Sequence, residues 1–246
     1  MSLTVVEVLE RSKEGRTEPY ICRCDDGEVY FVKGRSATRN GLIAEWICAE
    51  LATALSLPIA PYFIANVPIE LIEADTNGWL QDLGSGAVFA SQRVCATNLT
   101  RVHLDLVPKK QRCDILMFDW WIHNGDRNLT GLGGNCNLLW TPENDGELIL
   151  IDHNLAFESD FLTTEFINLH VFADEVSTLF SDFVSRDAYT KSFHFAMLKW
   201  SSIWDSLPKE WAFIDDELTI PNNFPYAAVK NLLDRSSTDD FWLLPS

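Results

Sequence analysis

The apolar runs of this sequence are short. None approaches the roughly 20 residues a helix needs to cross a bilayer, so a membrane-spanning protein is not expected. Nor is a secretion signal, since Thr4-Val5-Val6 is followed at once by Glu7 and Glu10. Positive charge is scarce too: 19 Lys and Arg stand against 36 Asp and Glu, a net charge of −17. Residues 1–40 hold seven of each sign, so the whole excess lies beyond them. Such a surface repels nucleic acid and anionic membranes, and neither is expected as a partner. Zinc spacing is absent: Cys22 and Cys24 are separated by one residue, and His123 and His153 fit no compact zinc motif. The six cysteines read as reduced, mostly buried thiols of a cytoplasmic protein. Gly84-Ser85-Gly86 has no lysine after it and precedes a strand pattern, so it is a turn and not a Walker loop. No repeat or low-complexity segment interrupts the chain.

What is present suits a sizeable core. Hydrophobic residues make up 47% of the 246, enough for one domain or two closely packed lobes. Leu3 to Leu9 and Tyr20 to Cys24 read as strands. Asp25-Asp26-Gly27 is a hairpin signal leading into Glu28 to Lys33. Period two puts Val29, Phe31 and Lys33 on one face of that strand, Tyr30 and Val32 on the other. A helix is expected from Leu42 to Leu55, with Ile43, Ile47, Leu51 and Ala54 as its buried stripe and Glu45 off it. Tyr62 to Leu71 reads as extended, with Pro68 suggesting an edge, and Val88 to Val94 as a further strand. From Ala96 the composition turns helical and rich in Trp and Phe, with an amphipathic helix over Pro108 to Ile122.

The chemistry concentrates between Asp119 and Phe157. An apolar helix gives way to Ile122-His123-Asn124-Gly125-Asp126-Arg127, then Asn135-Cys136-Asn137-Leu138-Leu139-Trp140, then Ile149-Leu150-Ile151-Asp152-His153. Asp126 could take the proton of an attacking hydroxyl, or cap a turn. Asp152, ending an apolar strand, could bind a metal, or be a turn residue. Asn135 and Asn137 offer amide oxygens, and a strand starting there would put them on one side. Arg127 could touch a phosphate or neutralise a neighbouring carboxylate. Lys33 could bind phosphate with Glu45 as its partner, or be a solvated strand-end lysine.

Tyr30-Phe31-Val32-Lys33-Gly34, Gly41-Leu42-Ile43-Ala44-Glu45-Trp46-Ile47, Val88-Phe89-Ala90-Ser91, Asn124-Gly125-Asp126-Arg127, the Asn-X-Asn-Leu-Leu run and Leu150-Ile151-Asp152-His153 come in this order. Together they resemble the HipA-like kinases, a branch of the protein-kinase-like superfamily. The resemblance implies an α+β, two-lobed protein-kinase-like fold. A small antiparallel sheet with one helix would form residues 1–94 and a mainly helical lobe residues 95–246, with ATP and magnesium (Mg2+) in the cleft. By the same resemblance Lys33 would bind the ATP phosphates and Glu45 would pair with it. Asp126 would be the catalytic aspartate, with Arg127 beside it, and Asn135 and Asp152 the magnesium ligands, Asn137 being the fallback. Backbone groups of Ser91, Gln92, Arg93 and Val94 would meet the adenine, with Phe31 near the base. The phosphate-covering loop, near Ser12 to Glu18, has one glycine, Gly15, with Ser12 and Thr17 as candidates for regulatory phosphorylation. Asn135 follows Asp126 later than is usual in the family, so Leu129 to Gly134 reads as an insertion. The chain resembles the kinase core alone, without the additional N-terminal domain of the longer HipA toxins.

The implied activity is phosphoryl transfer to a hydroxyl, Ser or Thr of a protein substrate or of the chain itself, with a regulatory partner in a toxin–antitoxin context. Related phosphatidylinositol kinases carry a similar aspartate–arginine–asparagine loop, which leaves a lipid or small-molecule kinase as one alternative. A nucleotide-binding, pseudokinase-like regulatory module is the other.

Overall fold

The structure, a computed structural model, describes residues 3–13, 18–130, 133–141 and 146–244. The chain divides into two compact units. The first comprises Met1–Trp46, Ala60–Cys95 and Ser206–Phe224, the second Ile47–Ile59, Ala96–Asp205 and Pro225–Ser246.

In the first unit, β1 (Leu3–Arg11), β2 (Tyr20–Cys24), β3 (Val29–Lys33), β4 (Tyr62–Val67) and β5 (Gly86–Gln92) form a closed barrel in the order β1-β2-β3-β5-β4. Consecutive neighbours are antiparallel, but Leu3↔Ala65 and Thr4↔Asn66 pair β1 with β4 in parallel and close the ring. The expected all-antiparallel sheet is therefore corrected: closure removes its free edges. Gly27, at φ +87°, makes the β2–β3 turn, as Asp25-Asp26-Gly27 foretold. The strand alternation also holds: Tyr30 and Val32 join Val5, Cys22, Cys24 and Val88 in the core, while Val29 and Phe31 stay half-buried. Burial pushes the Cys22 and Cys24 thiols up to about 12, so they behave as small apolar residues.

Pro68 does not mark an edge strand. It lies just past the end of β4 and precedes the short α2 helix (Ile69–Glu73), where its missing N–H is no loss. Helix α1 (Thr38–Ala54), of which residues to Trp46 belong to this unit, is more buried than a single stripe: Leu42, Ile43, Ala44 and Glu45 are all buried.

The units are not two continuous stretches divided at Val94. Residues 206–224 complete the first one. The β3–β5 ladder ends at Lys33↔Phe89, and beyond it the Ala87 carbonyl accepts from the Trp211 indole N–H at 3.0 Å while the Ala87 N–H donates to the Glu210 carboxylate. Side chains thus satisfy the backbone that a further β3 residue would have paired. Arg35 also forms an ion pair with Asp216.

The second unit contains the sheet β6-β7-β8 (Thr97–Asn98, Leu138–Thr141, Glu147–Leu150) and α3 (Lys109–Ile122). Residues 47–59 belong here because Pro58 O accepts from Leu150 N at 2.7 Å and Ile59 bridges Leu150. Helices α4 (Thr163–Leu169), α5 (Val176–Ser181), α6 (Phe183–Met197), α7 (Trp200–Asp205) and α8 (Tyr226–Asp234) follow. Ile115 to Ile122 of α3 are all buried, and their aromatic rings organise the core: Trp121 stacks on Phe193 at 4.3 Å, and Trp120 meets Phe166, Phe180 and Phe241. Among the described residues no helix is long and apolar enough to cross a membrane.

Candidate active site

Lys33 ends β3 on the face opposite the barrel core, and its ammonium pairs with the Glu45 carboxylate on α1. The two side chains are 10% and 2% exposed, so neither is the solvated surface group that the sequence alone allowed. A buried pair of this kind is costly to break from one side, which ties β3 to α1. Gly34 makes the exit from β3 possible, because a Cβ there would overlap the Leu83 carbonyl that accepts from Arg35 N.

Of the residues read as meeting the base, Phe31, Ser91, Gln92 and Val94 are half-buried and Arg93 is exposed. The Gln92 N–H is committed to Pro61 O at 2.7 Å and the Arg93 N–H to Val29 O at 2.8 Å, so neither is left to meet a base. Val94 is the member of this stretch whose N–H and carbonyl have no partner among the described residues. Gly15 and Thr17 lie outside the described residues, and Ser12 N donates to Pro19 O.

In the second unit α3 ends in a left-handed residue, His123 at φ +51°, whose N–H returns to Asp119 O. Asp119 is a lone carboxylate in the run Met117-Phe118-Asp119-Trp120-Trp121 and is fully buried. It accepts from Arg127 Nε at 2.6 Å, Asn124 Nδ2 at 2.8 Å and His170 Nε2 at 3.0 Å. Burial alone would raise its pKa, but Arg127 and His170 outweigh it and hold the carboxyl at about 2. His170 takes the N–H of Phe172 on Nδ1, so its Nε2 carries the proton it gives Asp119. Burial keeps this ring neutral by lowering its pKa.

Of the two roles open to Arg127, the structure shows the neutralisation of a neighbouring carboxylate, Asp119. The arginine is fully buried, and its N–H groups go to Asp119, to the carbonyls of Cys136 and Asn137, and to His153 Nε2 at 3.1 Å. Guanidinium only donates, so His153 accepts here. One arginine thus holds the Asn137 stretch and the residue after Asp152 in fixed positions relative to Asp126.

The asparagines do not share a strand face. Strand β7 begins only at Leu138, and Asn137 is left-handed at φ +47°. Asn135 is exposed, and its side-chain oxygen accepts from Asn137 N at 3.2 Å. Asn137 is buried and its Nδ2 donates to Asp126 Oδ2 at 3.0 Å. Its carbonyl accepts from Ile151 N at 3.2 Å, which brings Asp152, itself at φ +59°, to the same neighbourhood. The insertion explains the shift of register. Asn128 N donates to Asn135 O, Thr130 and Gly133 exchange hydrogen bonds, and the loop returns to where it left. Gly134 permits that closure, since a Cβ there would lie 2.6 Å from Asn128 O.

Asn137 must turn its amide nitrogen to the Asp126 carboxylate, which leaves Oδ1 buried and without a partner among the described residues. A buried oxygen without a partner among the described residues, next to Asp126 and on the residue whose carbonyl meets Ile151, one position before Asp152, fits a hard divalent cation of the magnesium type. Among the described residues no cluster of three His, Cys, Asp or Glu could hold a metal by itself, so such an ion would rely on phosphate oxygens for further ligands. Sequence reasoning missed Asp119; its signal was a single carboxylate inside an apolar helix, where an unpaired charge could not remain.

The family profile described as "HipA-like kinase" matches residues 5–244. The chain belongs to the HipA-like kinase family. Among solved structures, the crystal structure of a Helicobacter pylori proinflammatory kinase CtkA is similar at 12% identity, with 98% of this chain and 97% of that one covered and a TM-score of 0.55. At that identity the likeness is one of fold: mixed α+β, with a strand-rich sheet and helices. No curated protein sequence matches. Membership places this HipA-like kinase among the phosphotransferases, whose chemistry in general uses a nucleotide and a divalent metal.

Proposed function

We propose that this HipA-like kinase transfers the γ-phosphoryl group of ATP to the hydroxyl of a serine or threonine, on a protein substrate or on its own chain. The observation that carries the reading is Asn137 beside Asp126, with the buried Asn137 oxygen unpaired among the described residues. In the proposed reaction the substrate hydroxyl attacks the γ-phosphorus, the bond to the ADP oxygen breaks, and Asp126 receives the hydroxyl proton. Lys33, steadied by Glu45, would meet the phosphates, and Val94 is the backbone position proposed for the base. Asn137, in place of Asn135, and Asp152 would hold Mg2+, which when bound neutralises phosphate charge. Arg127 positions these groups and does not touch the substrate.

The net charge of −17 favours a protein hydroxyl over an anionic lipid headgroup or a nucleic acid. A regulatory partner protein is proposed on family grounds alone. The test is mass spectrometry of the full chain, with a panel of proteins, after incubation with ATP and Mg2+. Phosphorylated serine or threonine is expected with the wild type and not with Asp126→Asn. Equal labelling of the two, or nucleotide binding without any phosphorylated product, would overturn the proposal.

A further inference from the structure

Within the second unit a cavity of about 520 Å³ opens beside the C-terminal end of α3. None of Asp126, Asn137 and Asp152 lines it. Its size is that of a small-molecule site, which commonly measures about 300–1,000 Å³. Arg235 is the cation in its wall. The two Nη1 hydrogens go to Trp121 O at 2.7 Å and Leu232 O at 2.6 Å, and one Nη2 hydrogen goes to Trp120 O at 2.6 Å. Clasping these carbonyls, two of them at the negative end of α3, is a sufficient structural task for an arginine. It leaves the Nε hydrogen and the second Nη2 hydrogen without a partner among the described residues. No carboxylate pairs with Arg235 among those residues either, and burial alone lowers its pKa to about 9. The Phe241 ring covers the guanidinium at 4.9 Å, so the unfilled edge is what remains for a ligand.

The rest of the lining narrows the ligand. Trp120 and Phe241 supply aromatic walls, and Leu243 an apolar side that is 65% exposed at the mouth. Thr163 brings a hydroxyl able to donate, whereas the Thr238 hydroxyl already donates to Arg235 O at 2.7 Å and can only accept. Burial, with the help of Arg235, lowers the His123 pKa to about 3, so its ring adds no charge at neutral pH. Asp240 also lines the cavity and is exposed, which disfavours a dianion such as phosphate more than a single carboxylate. A planar carboxylate matches two N–H groups of one guanidinium.

We propose that this cavity binds a small aromatic carboxylate, with its carboxylate on the unfilled edge of Arg235 and its ring against Trp120. The site does not depend on the transfer reaction proposed above, and its test reads binding alone. Benzoate and indole-3-acetate are titrated into the full chain, followed by saturation-transfer NMR and tryptophan fluorescence, with indole-3-acetamide as the neutral comparison. Saturable binding of a carboxylate is expected, weaker by about tenfold or more for the amide, because a hydrogen-bonded charge is lost. Leu243→Trp, which fills the mouth and spares the helix clasp, should weaken the carboxylate by a similar factor. Arg235→Lys serves as a second variant where it folds, and should weaken binding likewise. Absence of saturable carboxylate binding, equal affinity for the amide, or unchanged affinity in Leu243→Trp would each overturn the proposal.

Discussion

Replacing Asp119 with asparagine probes the buried ion pair beneath the candidate catalytic loop. The carboxylate receives three donors, from Arg127, Asn124 and His170, and an amide has one acceptor oxygen where a carboxylate has two. At least one donor then meets an N–H. The substitution also strips the counter-charge from Arg127, which is fully buried. A lost hydrogen bond costs roughly 1–2 kcal/mol, whereas breaking a buried ion pair on one side costs roughly 3–5 kcal/mol, so the charge dominates. Against a total stability of about 5–15 kcal/mol this is a large fraction. Titration gives a second, smaller figure. Held at about 2 against an ordinary 3.8, the carboxyl contributes on the order of 2–3 kcal/mol at neutral pH. Because the folded value is the depressed one, that contribution is complete above the unfolded value near 3.8 and is lost as pH falls through 2. Urea unfolding followed by tryptophan fluorescence measures both, since Trp120 and Trp121 adjoin Asp119 on α3. Asp119→Asn should lose about 3–5 kcal/mol at pH 7, and the gap to the wild type should narrow by about pH 2.5. A loss below about 1 kcal/mol, or a gap unchanged on acidification, would refute the reasoning.

Three further outcomes are expected. Asn137→Ala should lower phosphate transfer by about a hundredfold or more and raise the magnesium requirement, while Asn135→Ala, whose oxygen accepts from Asn137 N and no other donor among the described residues, should change transfer by less than about tenfold; steady-state kinetics over a magnesium series compares them. Glu45→Gln should weaken nucleotide binding and reduce thermal stability together, because the buried Lys33–Glu45 pair loses one of its charges; calorimetry and a melting curve read the two effects. The His123 ring should show no protonation by NMR between about pH 8 and pH 5, because burial first and Arg235 second hold it at about 3.

Much of the barrel could be read from local patterns. The Asp25-Asp26-Gly27 turn and the alternation through Lys33 are period-two features that need no knowledge of the rest of the chain. Closure by the parallel β1–β4 pair was not legible, since nothing local in Leu3-Thr4 specifies Ala65-Asn66 as partners. Pro68 misled because a proline at a strand's end and one in an edge strand look alike without the following helix. Asp126 and Asp152 stood out by their positions after a helix and an apolar strand. That Asn137 and not Asn135 meets Asp126 is not legible by counting residues, which cannot show that Asn128 and Asn135 close a hairpin and remove the intervening length. The two roles open to Arg127, phosphate contact or carboxylate neutralisation, could not be separated locally, because its four partners come from other parts of the chain.

The indole of Trp211 reaches the Ala87 carbonyl from 124 positions further along the chain. On a ribosome β5 therefore emerges long before the segment that covers it, and Ala87 must bond water in the interval. Products that terminate ahead of Ser206 would leave that stretch of backbone open to pairing with another chain, so aggregation of nascent fragments should depend on whether residues 206–224 have been made.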